Sequence, residues 1–361
     1  MQKGATHSTL MIANAAGEIV AKVKGDGTNH WQVGIPEVGR RIAAMSAEAK
    51  IIADIPDSVK FKCIGLSLSG CEHESTNATL EREMQKEFPN LSENYVVCSD
   101  TLGSILTVSN LGGVVIIAGT GSNACLRNPS GETFQCGGWG HGIGDEGGAW
   151  WISYKLVKAV FDDQDNLNKC AYDTTVAWDL MKEHFNVEHR RDMLEHVYAS
   201  FQKSFYARLC QKMSVAASNG DELCQKIFID AGRQLAKMLC ALLPRVDQSL
   251  IETGHLSVIC VGSVWHSWDL MKLGFTKELG QHRIPYELRL LQLKSNVSMA
   301  AGAFFMAADA VEFPLPRDYS QNYEIFFNYV GQDLKNGCNG IEKMNGKAVT
   351  NGNGFANGNH V

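Results

Sequence analysis

The sequence predicts an α/β protein with a mixed sheet, and three observations lead to this fold class. Short runs of β-branched and apolar residues alternate with longer helical patterns over the first 110 residues. A strand pattern at residues 114–118 contains only Val, Ile and Ala, which is typical of a buried strand. After a long, mostly helical stretch, another apolar strand pattern returns at residues 256–264.

The elements of the first part follow from local residue patterns. Pro36 suits the first turn of a helix, and Ile42, Met45 and Ala49 recur after it at helical spacing. Alternating apolar residues at positions 64, 66 and 68 indicate a strand. The predicted strands lie at residues 8–14, 18–24, 62–69 and 95–98, and the predicted helices lie at residues 36–53, 76–88 and 101–109.

A composition shift at the Asn-Leu-Gly-Gly sequence of residues 110–113 predicts a domain boundary. We expect an N-terminal domain at residues 1–110 and a C-terminal domain at residues 111–314. The predicted helices of the second part lie at residues 149–161, 174–184, 193–205, 207–241 and 297–311, and the predicted strands lie at residues 114–118, 256–264 and 286–293. Residues 331–361 are rich in Gly and Asn, so we expect a disordered tail.

The composition of the 361-residue chain restricts the classes of function. An apolar content of 45% allows a sizeable core, and 33 basic against 39 acidic residues give a net charge of −6, which disfavours nucleic-acid binding. No apolar run reaches membrane-spanning length, and the N-terminus carries no secretory core. The eleven cysteines include no C-x-x-C pair, which suits a reducing compartment, so we expect a cytoplasmic protein.

The most informative segment contains two glycine clusters, at residues 119–123 and 136–148, joined by a short hairpin. The first cluster, GTGSN, directly follows the buried strand. Its glycines let backbone N–H groups approach a phosphate, and the hydroxyls of Thr120 and Ser122 add donors. A tight hairpin turn is the alternative, but the neighbouring cluster favours a phosphate site. The segment indicates a phosphate-handling enzyme that also holds a polar small molecule.

The second cluster, CGGWGHGIGDEGG, is too rich in glycine for a packed element. Trp139 offers an apolar face that suits a sugar ring or a base. Asp145 and Glu146 directly precede a predicted helix, so two interpretations are open. The two acids either serve a ligand, or they cap the helix and compensate its dipole.

Three further positions also keep two interpretations each. Asp100 stands between a strand and a helix, where it is either an N-cap or a general base that accepts a hydroxyl proton. Asn29 lies in a polar loop, where it either reads sugar hydroxyls or forms a surface turn. Gly262 and Ser263 end a buried strand, where they either admit a flat ligand such as adenine or cap the next helix.

Six motifs support a resemblance when they are taken together. They are GTNHW (residues 27–31), GLSLSG (65–70), the turn at Asp100, GTGSN (119–123), CGGWGHGIGDEG (136–147) and CVGSVW (260–265). This set resembles the N-acetylglucosamine kinase family, in the sugar kinase and actin-like ATPase superfamily. The resemblance implies two ribonuclease-H-like domains hinged around a central cleft, and a C-terminal helix near residues 315–330 that packs back on the N-terminal domain.

The resemblance also implies a reaction, which is ATP-dependent phosphorylation of N-acetyl-D-glucosamine at its 6-hydroxyl in amino-sugar salvage. It implies Mg²⁺ held mainly by the ATP phosphates, a homodimer, and Asp100 as the catalytic base. The residues that it places against the sugar are Asn29, Asp100, Ser122, Asn123, Gly138, Trp139, Gly140 and Asp145. The residues that it places against ATP are Thr6, Thr120, Gly121, Ala207, Gly262, Ser263 and Val264.

The first residues of the chain depart from the family pattern. The family opens with a central strand, an acidic residue and a Gly-Gly-Gly-Thr loop. Here only Gly4 and Thr6 match that loop, and Met1 lies where the strand should finish. We therefore expect a gap in the first sheet. The departure also motivates an alternative function, a catalytically impaired sugar-binding or regulatory protein on the same fold.

Overall fold

A computed structural model of the protein describes residues 7–331 and confirms the predicted α/β class. Thr6 and residues 332–361 of the predicted tail lie outside the described residues. The strands are β1 (Ser8–Ala13), β2 (Ile19–Gly25), β3 (Ile64–Leu68), β4 (Tyr95–Ser99), β5 (Gly113–Ala118), β6 (Ser122–Arg127), β7 (Thr133–Gly137), β8 (His255–Val261), β9 (Glu287–Leu293) and β10 (Tyr323–Tyr329). The helices are α1 (His30–Val33), α2 (Ile35–Ile52), α3 (Glu74–Glu87), α4 (Asp100–Val108), α5 (Ala149–Gln164), α6 (Thr175–Phe185), α7 (Lys203–Ala207), α8 (Leu209–Ser218), α9 (Glu222–Leu242), α10 (Trp268–Leu279) and α11 (Ala300–Ala310).

Two small sheets form the first part of the described chain. Strand β1 pairs antiparallel with β2, and β3 pairs parallel with β4. Helix α2 covers both sheets, because its apolar residues recur on one face. Val38 and Ile42 pack with Leu66 of β3, whereas Met45 and Ala49 pack with residues of β1 and β2. The two sheets are not hydrogen-bonded to each other within residues 7–331.

The second part is built on a six-stranded sheet with the order β10-β9-β8-β5-β6-β7. Strand β5 pairs antiparallel with β6 and parallel with β8. Val114 and Ile116 are fully buried in the largest apolar core, which includes residues of α5 and α9. Val115 points to the opposite face and packs with Ile105 and Val108 of α4. Strand β5 is therefore buried on both faces, which explains its continuous apolar run.

Helix α11 returns to the first part of the chain and lies unusually close to it. A Cβ at Gly65 of β3 would lie 2.0 Å from the carbonyl oxygen of Ala303, and a Cβ at Gly302 would lie 1.9 Å from that of Gly103. The N–H of Gly302 donates to Oγ1 of Thr107 at 2.9 Å. Glycines thus allow α11 to dock against β3 and α4, and this contact joins the two parts.

The C-terminal helix expected near residues 315–330 is absent from the described structure, so that prediction was wrong. A single 3₁₀ turn, Tyr319–Gln321, is followed by strand β10, which pairs antiparallel with β9. The sequence of β10, YEIFFNY, is rich in aromatic residues and includes one Ile, and both residue types favour a strand. Phe326 and Phe327 pack against Trp268. The helix that packs back on the first part is α11 instead.

Two long predicted helices are also broken in the structure. The helix expected at residues 193–205 is replaced by a π-helical turn, Glu195–Ala199, and by the short helix α7. The helix expected at residues 207–241 is divided into α8 and α9. Gly220 adopts a positive φ of 100° at the break, and the side chain of Asp221 then caps α9 by accepting from the N–H of Cys224 at 2.8 Å. The other predicted elements occur at their expected places with shifted ends.

Two further observations concern residues 7–331 as a whole. None of the helices in this range is long and apolar enough to cross a membrane. The ten cysteines of the same range are all free thiols, and most of them are buried. They therefore act as small apolar side chains in the core rather than as covalent links.

Candidate functional site

The first glycine cluster forms the turn between β5 and β6, and the start of α5 holds it in place. The N–H of Ala149 donates to the carbonyl oxygen of Gly119 at 2.8 Å, and the N–H of Trp150 donates to that of Thr120 at 3.0 Å. A Cβ at Gly119 would meet nothing within 4 Å, whereas a Cβ at Gly121 would lie 2.2 Å from Oδ1 of Asp145. The turn is thus open on one side and closely packed on the other, which suits a phosphate cradle.

Asp145 joins the two glycine clusters into one site, as the sequence predicted. Its side chain is buried, and Oδ1 accepts from the N–H of Ser122 at 3.0 Å. The hydroxyl of Ser122 donates to the carbonyl oxygen of Glu146 at 2.8 Å. Oδ2 of Asp145 lies 2.6 Å from Nζ of Lys203. Asp145 therefore does more than compensate the dipole of α5, because it fixes the position of the neighbouring turn.

The turn at residues 138–140 lies directly against Asn123. The N–H of Gly138 donates to the carbonyl oxygen of Ser122 at 3.1 Å, and a Cβ at Gly138 would lie 2.7 Å from Cγ of Asn123. Asn123 is buried, and its Oδ1 has no hydrogen-bond partner within the described part of the chain. Trp139 is 63% exposed, so the face of its indole is open to a ligand. Gly140 continues the turn with a positive φ of 82°.

Asp100 is the first residue of α4 and lies at the carboxyl end of β4. The N-cap of this helix is Ser99, whose hydroxyl oxygen accepts from the N–H of Leu102 at 3.1 Å, so the capping interpretation of Asp100 was wrong. Burial raises the pKa of the Asp100 carboxyl to about 6, and the charge of Glu72 adds to this effect, while a hydrogen bond from Ser69 opposes it. A carboxylate with such a pKa is suited to proton transfer near neutral pH.

The loop that contains Asn29 lies beside the end of β3. Oδ1 of Asn29 accepts from the N–H of Trp31 at 3.0 Å, and Nε1 of Trp31 donates to the carbonyl oxygen of Gly70 at 3.1 Å. Cys71 follows in this turn, and burial raises its pKa to about 12, with smaller contributions from the charges of Glu72 and Asp100. Asn29 thus caps α1 and also belongs to the same neighbourhood as Asp100.

Asp100 also lies near β6, the strand that follows the phosphate turn. Burial raises the pKa of Cys125 of β6 to about 11. A hydrogen bond with Thr101 lowers this pKa, and the charge of Asp100 raises it further. Asp100 therefore lies close enough to the turn after β3 and to β6 for its charge to raise the pKa of a cysteine in each.

Three of the residues expected at adenosine lie in the turn after β8, and the fourth lies on α7. Gly262 has a positive φ of 109°, and a Cβ there would lie 2.3 Å from the carbonyl oxygen of Ala118. Ser263 begins a 3₁₀ turn, and Val264 is buried. Ala207 lies at the end of α7, where its carbonyl oxygen accepts from Oγ of Ser153 of α5 at 3.5 Å. The absence of a side chain at Gly262 thus lets the turn after β8 pack directly against the backbone at the end of β5.

One expected phosphate contact falls outside the described residues, and two lie in the phosphate turn. Thr6, expected at the ATP phosphates, lies outside the described residues. Within residues 7–331 no group of three or more His, Cys, Asp or Glu side chains is placed to hold a metal ion. Thr120 and Gly121, the other expected phosphate contacts, lie in the turn between β5 and β6.

Sequence reasoning missed two charged residues of this site. The charge of Glu72 raises the pKa of Asp100. Glu72 follows the GLSLSG motif closely, and this position is a sequence signal that could have identified it. Lys203 forms an ion pair with Asp145, which lies 58 residues earlier in the sequence, and no local sequence pattern predicts that contact.

The mixed sheet, the two glycine turns and the carboxylate at a strand end define an α/β protein of the actin-like ATPase class. The chain belongs to the BadF/BadG/BcrA/BcrD ATPase family, whose model matches residues 3–284. Family membership implies that ATP is its nucleotide. The predicted resemblance to sugar kinases of the actin-like superfamily is confirmed by this match and by the relatives below.

Two curated relatives are similar to the chain. It is 32% identical over 124 residues to the N-acetylmuramic acid/N-acetylglucosamine kinase of Clostridium acetobutylicum, a match that covers 34% of this chain and 39% of that protein. It is 25% identical over 256 residues to the N-acetyl-D-glucosamine kinase of Dictyostelium discoideum, covering 67% of this chain and 78% of that protein.

Solved structures share the fold. One is a proposed N-acetylglucosamine kinase from Chromobacterium violaceum, with a TM-score of 0.65 and 20% identity over 84% of this chain and 95% of that one. Another is a ROK family glucokinase from Streptomyces griseus in complex with glucose and AMPPNP, with a TM-score of 0.53 and 14% identity over 85% of this chain and 97% of that one. Both similarities concern the fold alone.

Proposed function

We propose that the protein is an ATP-dependent sugar kinase that phosphorylates N-acetyl-D-glucosamine at its 6-hydroxyl, a step of amino-sugar salvage. The observation that carries the proposal is Asp100, a carboxylate at a strand end whose pKa is raised to about 6. Kinases use such a carboxylate to accept the proton of the attacking hydroxyl. A base of this kind works best when its pKa lies near the operating pH.

The choice of sugar is supported by the relatives and by the chemistry of the site. Both curated relatives carry N-acetylglucosamine kinase in their names. Trp139 offers an exposed aromatic face for a sugar ring, and the buried Oδ1 of Asn123 is an acceptor for an N–H or hydroxyl group. We further propose, on the family resemblance, that the protein is a cytoplasmic homodimer.

The mechanism assigns a separate task to each part of the site. Asp100, in its charged form, accepts the proton of the 6-hydroxyl as that oxygen attacks. The backbone of the turn at Gly119–Gly121 and the hydroxyl of Thr120 approach the ATP phosphates, while the turn after β8 at Gly262 and Ser263 lies against adenosine. Mg²⁺ held mainly by the ATP phosphates would neutralise part of their charge. Closure of the two parts of the chain around the cleft then excludes water.

A second candidate is a sugar-binding or regulatory protein without turnover, and the departure at residues 2–6 favours it. Such a protein would keep Asn29, Asn123 and Asp145 but would fail to position ATP. Separate calorimetric titrations with N-acetylglucosamine and with ATP-Mg distinguish the candidates. Sugar binding without nucleotide binding supports the second candidate.

The kinase proposal is tested by a coupled ADP-release assay with ATP-Mg, with and without N-acetylglucosamine. Release should depend on the sugar. Asp100→Asn should lose about 100- to 10,000-fold in kcat while largely keeping sugar binding. Asp179→Asn is the matched control, because this carboxylate is 63% exposed on α6 and pairs with Lys182. Normal turnover in Asp100→Asn would remove Asp100 from the mechanism, and no release from folded wild-type protein would refute the proposed activity.

A further inference from the structure

Lys203 is the cation that neutralises the buried carboxylate of the second glycine cluster. The side chain of Asp145 is 4% exposed, and Nζ of Lys203 lies 2.6 Å from its Oδ2. A carboxylate removed from water carries a large desolvation cost unless a cation or hydrogen bonds compensate it. The ion pair with Lys203 therefore offsets part of the cost of keeping Asp145 at this position.

The two oxygens of Asp145 have different surroundings. Oδ1 accepts from the N–H of Ser122 at 3.0 Å, which ties it to the phosphate turn. Oδ2 pairs with the ammonium group of Lys203 at 2.6 Å and has no other polar partner within residues 7–331. Oδ2 thus keeps an acceptor lone pair that a ligand hydroxyl can use.

Lys203 itself stands on a well-anchored element. Helix α7 also carries Tyr206 and Ala207, which are both buried in the large core. Oγ of Ser153 donates to the carbonyl oxygen of Ala207 at 3.5 Å, which links α7 to α5. These contacts hold the C-terminal end of α7 against α5, and Lys203, its first residue, reaches Asp145 from this helix.

We propose that Lys203 is a positioning residue for the sugar. Its ammonium group holds the Asp145 carboxylate against the N–H of Ser122, so that Oδ2 is presented to a sugar hydroxyl. This inference rests on the proposed sugar kinase function and deepens it. Since Lys203 acts on ground-state binding and not on the transferred phosphoryl group, its loss should raise the sugar KM more than it lowers kcat.

The test compares Lys203→Met with a matched lysine variant. Lys212→Met is the control, because Lys212 lies on the next helix and forms an exposed pair with Glu183 at 2.7 Å. In Lys203→Met the KM for N-acetylglucosamine should rise about tenfold or more, with kcat changed less than about threefold. Lys203→Arg should recover most of the affinity. Lys212→Met should match the wild type.

A double-mutant cycle with Asp145→Asn tests whether Lys203 acts through Asp145. The double variant should resemble Asp145→Asn alone, and fully additive losses would overturn the inference. An unchanged sugar KM in Lys203→Met, or a loss confined to kcat, would also overturn it. If Lys203→Met does not fold, Lys203→Gln is judged by the same criteria.

The same measurements separate this inference from the proposed function. If the wild-type protein shows no turnover, the kinase proposal fails, and calorimetry with N-acetylglucosamine then decides the role of Lys203. Weaker sugar binding by Lys203→Met than by the wild type supports the inference. Equal binding by the two proteins, or no binding by either, overturns it.

Discussion

Replacing Asp100 by Asn should stabilise the folded protein while it lowers kcat about 100- to 10,000-fold. The pKa of this carboxyl is raised from an ordinary value of 3.8 to about 6, mainly by burial. A carboxyl with a raised pKa binds its proton more tightly in the folded than in the unfolded protein. Stability is therefore highest when the group is protonated, and it falls as the pH rises from about 3.8 through about 6.

The size of the effect follows from the same two values. Their difference, at about 1.4 kcal/mol per pH unit, corresponds to about 3 kcal/mol of unfolding free energy lost above pH 6. Asn carries no charge, so Asp100→Asn should recover up to that amount at pH 7.5 and little at pH 4. Thermal unfolding of both proteins across this range measures the difference. A destabilised variant at pH 7.5, or a difference independent of pH, would refute the burial argument.

Three further predictions concern activity. The kcat of the wild type should rise with pH through about 6, because Asp100 must be charged to accept a proton, and a flat profile between pH 5 and 7.5 would contradict this. Gly121→Ala should lose about 100-fold in kcat/KM, because the new Cβ would lie 2.2 Å from Oδ1 of Asp145, whereas Gly142→Ala, with open space around its Cβ, should retain activity. Trp139→Ala should raise the sugar KM about 3- to 10-fold without changing the melting temperature, since the side chain is 63% exposed; a lower melting temperature with unchanged KM would contradict a ligand role.

Local patterns were sufficient to predict much of the fold. The stripe of Val38, Ile42, Met45 and Ala49 on α2 is buried as its spacing predicts, and the apolar run of β5 reflects burial on two faces. The pairing of the two glycine clusters was also predictable, because only a short hairpin separates them in the sequence.

Long-range packing explains what the sequence could not predict. Strand β10 pairs with the edge of β9, and its aromatic residues Phe326 and Phe327 pack against Trp268. Both partners are distant from β10 in the sequence. The ion pair of Lys203 with Asp145 depends in the same way on how α7 packs. The role of Asp100 could not be decided from the local sequence, because Ser and Asp are both good N-cap residues. In the structure Ser99 is the N-cap of α4.

The most direct test of the proposed function is identification of the product made from ATP-Mg and N-acetylglucosamine. The purified protein is incubated with both, and the sugar product is examined by mass spectrometry and ³¹P NMR. We predict N-acetylglucosamine carrying one phosphate on the 6-oxygen, formed together with an equal amount of ADP. No phosphorylated sugar from folded protein, or a phosphate on another oxygen, would contradict the proposed reaction.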